Sequence, residues 1–389
     1  MSNGDPALIE FISSHIRRDG PVTFRWFMEQ ALYHPSHGYY ASGKAAIGRH
    51  GDYFTNVSVG PLFGKLLAAQ FREMWERMER PARFTIVEQG ANNGDFARDV
   101  LAAARLNFPG FFEVLRYAIV EPFPVLRARQ EEALKSFSQT EWHANLADME
   151  PFQGVHFSNE LVDAMPVHLV KFHDGEWKEL YAGWHDGAFR FVEGPLSSPK
   201  LQTRVQELNL PRIENYTTEI NLGALDWIQS LASRLKVGYA LIVDYGWPRD
   251  VHYCPDRTSG TLACYSQHKW GFDPLQNVGA SDITAHVEFT SLAESAVASG
   301  FRLAGFADQH HFMVGLGKNE FPDTDVARNT DRQKALRAFQ TLMHPGFMGL
   351  GFKFLALEKG LSAQPGPTLA GFQYSGNPAS AGAVLGMRI

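Results

Sequence analysis

Cysteine is nearly absent: Cys254 and Cys264 are the two thiols in 389 residues. Two thiols cannot build a disulfide framework or a four-cysteine zinc site, so a reducing, intracellular setting is expected. Long apolar runs are missing too. No stretch reaches the roughly 18 consecutive apolar residues of a spanning helix, and no membrane is expected as a partner. Positive charge is not in excess either, with 36 Lys and Arg against 42 Asp and Glu and a net charge of −6. A nucleic-acid binder that relies on a broad basic surface needs clustered cations, so no nucleic acid is expected. The N-terminal stretch MSNGDPALIEFISSHIRRDG carries Asp5 and Glu10 and no continuous apolar segment, unlike a secretory signal or an acid-poor transit peptide. A cytoplasmic, bacterial-type chain is the expectation. There is no G-x-S-x-G elbow, which disfavours a nucleophilic hydrolase. His310 and His311 lack a spaced third ligand, so no metal is expected.

Phenylalanine is plentiful, with 29 residues, many in strand-like runs such as FRLAGF and GFKFLAL and in N-terminal helices. It reads mostly as core. Leu8, Ile9, Phe11, Ile12 and Ile16 predict a helix stopped at Gly20-Pro21, and Phe24 to Leu32 a second one. Phe63, Leu67, Phe71, Met74 and Met78 recur at helical spacing and predict a third. From Phe84 strands alternate with helices: FTIVEQ, RYAIVEP, GVHFSN and YALIVDYGW each end in polar residues. Such alternation implies a mostly parallel sheet covered on both faces. Asp174-Gly175 and Asp186-Gly187 lie between strand-like runs and predict hairpin turns. Ser291 with Glu294 reads as a capping box. The segments around FRLAGFADQHHFMVGLG and GFKFLALEKG read as two closing strands.

The expected fold is therefore α/β: a doubly wound, Rossmann-like sheet, mostly parallel with an antiparallel edge strand, plus an N-terminal helical region and an inserted β-meander. The expected organisation is a helical cap and closing loop over 1–80, the first part of the α/β domain over 81–170 and the meander over 171–214. The second part of the α/β domain follows over 215–361, then a mobile tail over 362–389.

The most informative local motif is VEQGANNGDF. Gly90 lets the chain turn sharply at a strand end, Asn92 and Asn93 tolerate unusual dihedrals, and Gly94 permits close approach of a ligand or helix. A nucleotide moiety fits over such a turn, although a plain strand-to-helix turn reads the same way. Glu121 ends the neighbouring strand and suits ribose hydroxyls. A nicotinamide site would use G-x-G-x-x-G with its acid about 20 residues on; here Gly90 and Gly94 are spaced differently and Glu121 lies further away. Glu88, placed by this reading in the turn, would repel a pyrophosphate. A ligand with a positive centre and no phosphates, such as S-adenosylmethionine, fits better.

Ordered blocks from about Pro21 to Lys359 then carry a resemblance: ALYHPSHGYY, GRHGDYFTNVSVGPLFGKLL, VEQGANNGDF, SNELVDAMPVH, LIVDYG, DITAHVEF and MGLGFKFLAL. The chain resembles the MidA-like family of class I S-adenosylmethionine-dependent methyltransferases, which includes a mitochondrial protein arginine methyltransferase. By position, the resemblance implies cofactor roles for Gly90, Gly94 and Glu121, with Gly51, Asp52 and Thr55 closing over the site. It also implies places beside the transferred methyl for Asn159, Glu160 and Asp163. Two departures stand out. Ala91 and Asn92 replace the Pro and middle Gly of the family's Glu-Leu-Gly-Pro-Gly-x-Gly, and Asn56-Val57-Ser58-Val59-Gly60 replaces Ser-Pro-Glu-Ile-Ser without its acid.

The expected activity is methyl transfer to an arginine guanidinium on a partner protein, with S-adenosylmethionine as cofactor. The alternatives are a small-molecule methyltransferase and a non-catalytic assembly or binding protein on the same scaffold. Carboxylates can hold a guanidinium in bidentate geometry, and Glu160 and Asp163 follow a strand at the ligand-binding end of the sheet. Asp163 reads equally well as a cap or surface acid. Tyr245, after the LIVD strand, could line the acceptor pocket, and His286 could take up a proton or hold a loop. His168 and His268 are secondary candidates. Glu88 and Asn159 complete the expected cofactor set, and a homodimer is compatible with the sequence.

Overall fold

The computed structural model describes residues 3–43, 56–266, 269–271, 273–320, 330–362, 368–376 and 378–387. The chain forms two compact units, each discontinuous in sequence. One comprises Met1–Phe54, Val162–Asp226 and Arg249–Val287; the other Thr55–Leu161, Trp227–Pro248 and Glu288–Ile389.

The second unit is built on the α/β sheet. Seven of its eight strands form a continuous path: β1 (Phe84–Gln89), β2 (Leu115–Val120), β3 (Thr140–His143), β4 (Phe152–Asn159), β5 (Leu235–Trp247), β6 (Arg302–Asp308) and β7 (Phe352–Lys359); the short strand Val287–Glu288 pairs with β5 beside them. The seven lie in the order β6-β7-β5-β4-β1-β2-β3. The pairs β1–β2, β2–β3, β1–β4 and β4–β5 are parallel, while β7 runs antiparallel to both β5 and β6. The doubly wound sheet expected from the sequence is thus present, and its antiparallel strand lies one place in from the edge. From β1 the chain builds outward through β2 and β3, then returns to place β4 on the opposite side of β1. That reversal is the topological switch point, where ligands bind outside the carboxyl ends of the strands.

Strand alternation sends neighbouring side chains of β4 to opposite faces. Phe157 stacks on Phe96 of helix Asp95–Asn107, with centroids 4.3 Å apart, and meets Phe71 of helix Leu62–Arg77 edge-on at 5.7 Å. On the other face His156 meets Trp227 edge-on at 5.5 Å. His156 is fully buried, and burial pushes its imidazole down to about 3, so it is a neutral core residue at pH 7. The phenylalanine surplus is largely explained here: Phe63, Phe71, Phe84, Phe111, Phe157, Phe289, Phe312, Phe352 and Phe354 are all fully or almost fully buried.

Three local expectations are corrected. The run after Asp308 is the helix Gln309–Glu320 and not a continuation of the strand, because Phe312 turns inward to stack on Phe354 at 3.9 Å. His310 and His311 therefore sit on its first turn. The helix Phe289–Ala298 is capped by Glu288, whose side chain accepts from the Ser291 N–H, and not by Ser291. Part of the stretch beyond 362, expected to be mobile, is packed: Leu369, Phe372 and Leu385 are buried, and the Ala370 and Gly371 N–H groups donate to Glu73 and Gln70.

The first unit contains helices Pro6–Asp19 and Phe24–Tyr33 and a five-stranded antiparallel sheet. Asp5 caps the first helix through the N–H groups of Ala7 and Leu8, and Gly20 follows its last residue, as expected. The meander is present as strands His168–His173, Glu176–His185 and Ala188–Gly194. Both Asp-Gly pairs form two-residue turns, with Asp174 and Asp186 at φ 54° and 49°. Left-handed residues of this kind match the twist of the flanking strands. Leu8, Ile12, Phe24, Phe27, Ala182 and Phe189 share one core. Among the described residues no helix is long and apolar enough to cross a membrane.

Phe157 joins the sheet to both covering helices, so Phe157→Ala is expected to cost about 3–5 kcal/mol. Urea unfolding measures it, and a loss below about 1 kcal/mol would contradict the stacking described.

Candidate functional site

The turn after β1 is held in a conformation that requires its special residues. Gly90 and Gly94 have φ of 85° and 83°, and Asn92 has φ 46°. A side chain at Gly94 would also press on Gln130, with its Cβ 3.3 Å from the Gln130 Cα. At Gly90 a Cβ would lie 3.6 Å from Leu161 and 3.9 Å from the Asn159 carbonyl oxygen. The loop after β1 and the chain leaving β4 are therefore neighbours, because the register aligns Gln89 with Ser158.

Glu121 follows β2 and is buried. Its Oε1 accepts from the Phe123 N–H at 2.9 Å and its Oε2 from Gln130 Nε2 at 2.9 Å. Burial raises its pKa, and those two hydrogen bonds work against the rise. Gln130 is the residue that sequence reading missed. It is fully buried on helix Pro124–Leu134, donates also to the Asn92 carbonyl at 2.7 Å, and accepts from Trp142 Nε1 at 3.1 Å. It ties the glycine loop to the acid of β2. A glutamine on a helix of surface-like composition carries no local signal of this.

Glu88 lies elsewhere than expected. It belongs to β1, before the turn, and its side chain is buried on the sheet face and accepts from the Tyr117 hydroxyl at 2.7 Å. Burial pushes it up to about 8, against the Tyr117 hydrogen bond. It is therefore mostly protonated at pH 7 and supplies little negative charge to a cationic ligand.

Asn159 ends β4 and Glu160 follows in the left-handed region at φ 54°. That conformation costs a non-glycine residue on the order of 1 kcal/mol or more. It is held by the Glu160 N–H, which donates to the Val243 carbonyl at 2.9 Å. Asn159 Nδ2 donates to Glu160 Oε1 at 2.7 Å. Tyr245 stands at the carboxyl end of β5, its ring tilted on Phe352 at 3.9 Å. Asp163 and His286 belong to the other unit, where the Asp163 carbonyl accepts from the Ala285 N–H at 2.9 Å. The His286 N–H donates to Thr261 Oγ1 at 3.0 Å, and burial, with the nearby Arg257 charge, lowers the imidazole to about 4. A base that weak is a poor proton acceptor, and loop anchoring is the role its contacts describe. His168 pairs with buried Glu179 at 2.8 Å. Gly51, Asp52, Thr55 and His268 lie outside the described residues.

Among the described residues His173, Asp174 and Glu214 come close enough together to share an ion, and the two acids are exposed. The thiol of Cys264 is pushed up to about 12 by burial, which leaves it inert as a nucleophile.

Residues 66–307 match the model of a family described as S-adenosyl-L-methionine-dependent methyltransferases. The chain belongs to the MidA-like family of these enzymes. A Burkholderia thailandensis protein solved with S-adenosyl-homocysteine bound is 31% identical, covers 94% of each chain and superposes with a TM-score of 0.85. The Drosophila melanogaster mitochondrial protein arginine methyltransferase NDUFAF7 homolog is 28% identical over 93% of this chain and 87% of its own length. Its Xenopus tropicalis counterpart is 28% identical over 90% and 85%. These curated relatives, like the human one, are named as mitochondrial, which overturns the expected cytoplasmic location.

This family member is a methyltransferase whose cofactor is S-adenosylmethionine. The residues at the switch point fit that group: a left-handed glycine turn at the carboxyl end of β1, a buried carboxylate with lone pairs for ribose hydroxyls, and no phosphate-binding cation in the loop. We propose that Gly90, Gly94, Glu121 and Asn159 hold it.

Two expectations follow. Gln130→Ala removes three hydrogen bonds of a buried side chain and should weaken S-adenosylhomocysteine binding about tenfold or more in calorimetry; unchanged affinity would exclude Gln130 from shaping the site. For Glu88, the unfolded chain releases its proton near 4.5 while the folded one keeps it to about 8. Stability should therefore fall as pH rises through that window, by roughly 1 kcal/mol per unit. In urea melts at pH 5, 6.5 and 8, Glu88→Gln should flatten that decline.

Proposed function

We propose that the methyl acceptor is the guanidinium of an arginine side chain on a partner protein, held by the carboxylate of Glu160. The observation that carries this reading is the setting of Glu160. It stands at the carboxyl end of β4, next to the glycine loop, in a strained backbone conformation fixed by Val243 and with its Oε1 engaged by Asn159. Strain at a ligand-binding sheet end is a pointer to function. The names of the curated relatives, protein arginine methyltransferases, support the same acceptor.

The cofactor supplies an electrophilic methyl group on a sulfonium. The work left to the protein is chiefly positioning. A guanidinium is cationic, planar and a poor nucleophile. A carboxylate held in its plane concentrates positive charge on the bonded nitrogens and leaves the remaining nitrogen better able to attack. Holding that nitrogen about 3–3.5 Å from the methyl carbon, opposite sulfur, supplies much of the rate. As the N–C bond forms, the S–C bond breaks to leave S-adenosylhomocysteine, and the surplus proton on the methylated nitrogen passes to water. Glu88, mostly protonated at pH 7, adds little to this charge balance, and Glu160 is the carboxylate proposed to face the acceptor. Tyr245, on the next strand, is proposed to border the acceptor.

The test is transfer of labelled methyl from S-adenosylmethionine to proteins of a cell extract, followed by hydrolysis and amino-acid analysis. Label is expected in methylarginine. Glu160→Gln should lower the rate about 100-fold or more, equivalent to about 3 kcal/mol, with S-adenosylhomocysteine affinity kept within about threefold. Label confined to small molecules or to other side chains would overturn the arginine assignment.

A further inference from the structure

Asn56 directly precedes the short helical turn Val57–Val59. It is fully buried, and its Nδ2 donates to Asn159 Oδ1 at 3.1 Å. The polarity of the resulting chain is determined from one end. An ionised carboxylate accepts only, so Asn159 must turn its Nδ2 to Glu160 Oε1, at 2.7 Å. Asn159 then presents its oxygen to Asn56, which must answer with its own Nδ2. The Asn56 oxygen is left pointing onward, and among the described residues no group donates to it.

A buried amide oxygen without a donor is costly. Here it lies two hydrogen bonds from a carboxylate at the ligand-binding end of the sheet, an environment that favours a cationic N–H donor over a neutral one. We propose that Asn56 is a positioning and binding residue: its Nδ2 orients Asn159 and through it Glu160, while its Oδ1 accepts an N–H from a cationic nitrogen of a bound ligand. Two nitrogens of this chemistry occur in the reaction, the α-ammonium at the amino-acid end of the cofactor and the guanidinium of the acceptor. The inference rests on the reading of Glu160 given above.

Calorimetry on the full chain separates the two sources. The probes are S-adenosylhomocysteine, and N-acetyl-L-argininamide added to the S-adenosylhomocysteine complex. Asn56→Ala should weaken one of them about tenfold or more. Loss of S-adenosylhomocysteine affinity identifies the cofactor ammonium, and loss confined to N-acetyl-L-argininamide identifies the acceptor. Asn56→Asp keeps the acceptor but loses the Nδ2 donor to Asn159, so it should recover part of that affinity relative to Ala while staying impaired in methyl transfer. A purely structural role predicts no such rescue. Should Asn56→Ala fail to fold, the isosteric Asp variant decides, since it must then keep its ligand affinity better than its methyl-transfer rate. The assignment is overturned if both affinities are unchanged in a folded Asn56→Ala, or if Asp loses as much as Ala. It is equally overturned if S-adenosylhomocysteine affinity is unchanged and the wild-type complex binds no N-acetyl-L-argininamide. In each of these cases Glu160→Gln remains impaired in methyl transfer and the functional reading stands. Full activity of Glu160→Gln overturns that reading, and the Asn56 assignment with it.

Discussion

The parallel pairing of β1 with β4 is the constraint on which the site depends. Glu88 aligns with Phe157 and Gln89 with Ser158, so the glycine loop and the Asn159-Glu160 pair leave the sheet side by side. A one-residue slip would exchange the faces of every side chain on one strand. Phe157 would leave its stack on Phe96, and Asn159 and Glu160 would be displaced along the edge of the crevice. The aromatic contacts that secure the register therefore also set the chemistry, although none of those rings need touch a ligand.

Within that frame, three glutamates of the same unit meet three different fates. Glu88 is drawn under the helices and kept mostly protonated by burial. Glu121 is also buried, yet the Phe123 N–H and Gln130 hold it at the loop. Glu160 sits beyond the strand, where a backbone hydrogen bond to Val243 offsets part of the cost of its left-handed conformation. A row of acids around a cation is thus too simple a picture. The environment, and not the residue type, decides which carboxylate carries charge.

Much of the architecture was legible because it rests on local patterns. The strands from Phe84 onward, the helices Pro6–Asp19, Phe24–Tyr33 and Leu62–Arg77, and the two Asp-Gly turns all follow from periodicity and turn chemistry. The misreadings share one cause. The run after Asp308 has enough apolar residues to pass for a strand, and only the tertiary contact of Phe312 with Phe354 shows the helix. The Gly- and Ala-rich stretch beyond 362 looked unable to pack, yet Phe372 and Leu385 bury themselves on the sheet unit. The site was legible to the extent that it lies at strand ends, as with Glu121, Asn159 and Glu160. Gln130, and the burial of Glu88 beneath Tyr117, depend on which side chains meet across the fold, and no spacing in the sequence encodes that.

The glycine loop shows how long-range contacts hold an unusual backbone path. Asn92 adopts φ 46°, a conformation that asparagine tolerates better than most side chains. Its carbonyl is engaged by Gln130 Nε2, and the Gly94 N–H closes the turn onto the Ala91 carbonyl at 2.8 Å. The backbone path that glycine would take for steric reasons is here held by hydrogen bonds, one of which comes from the residue that also holds Glu121. The loop and the acid of β2 are consequently coupled through a single amide. A change in either should be felt by the other, which an unsupported glycine turn would not require.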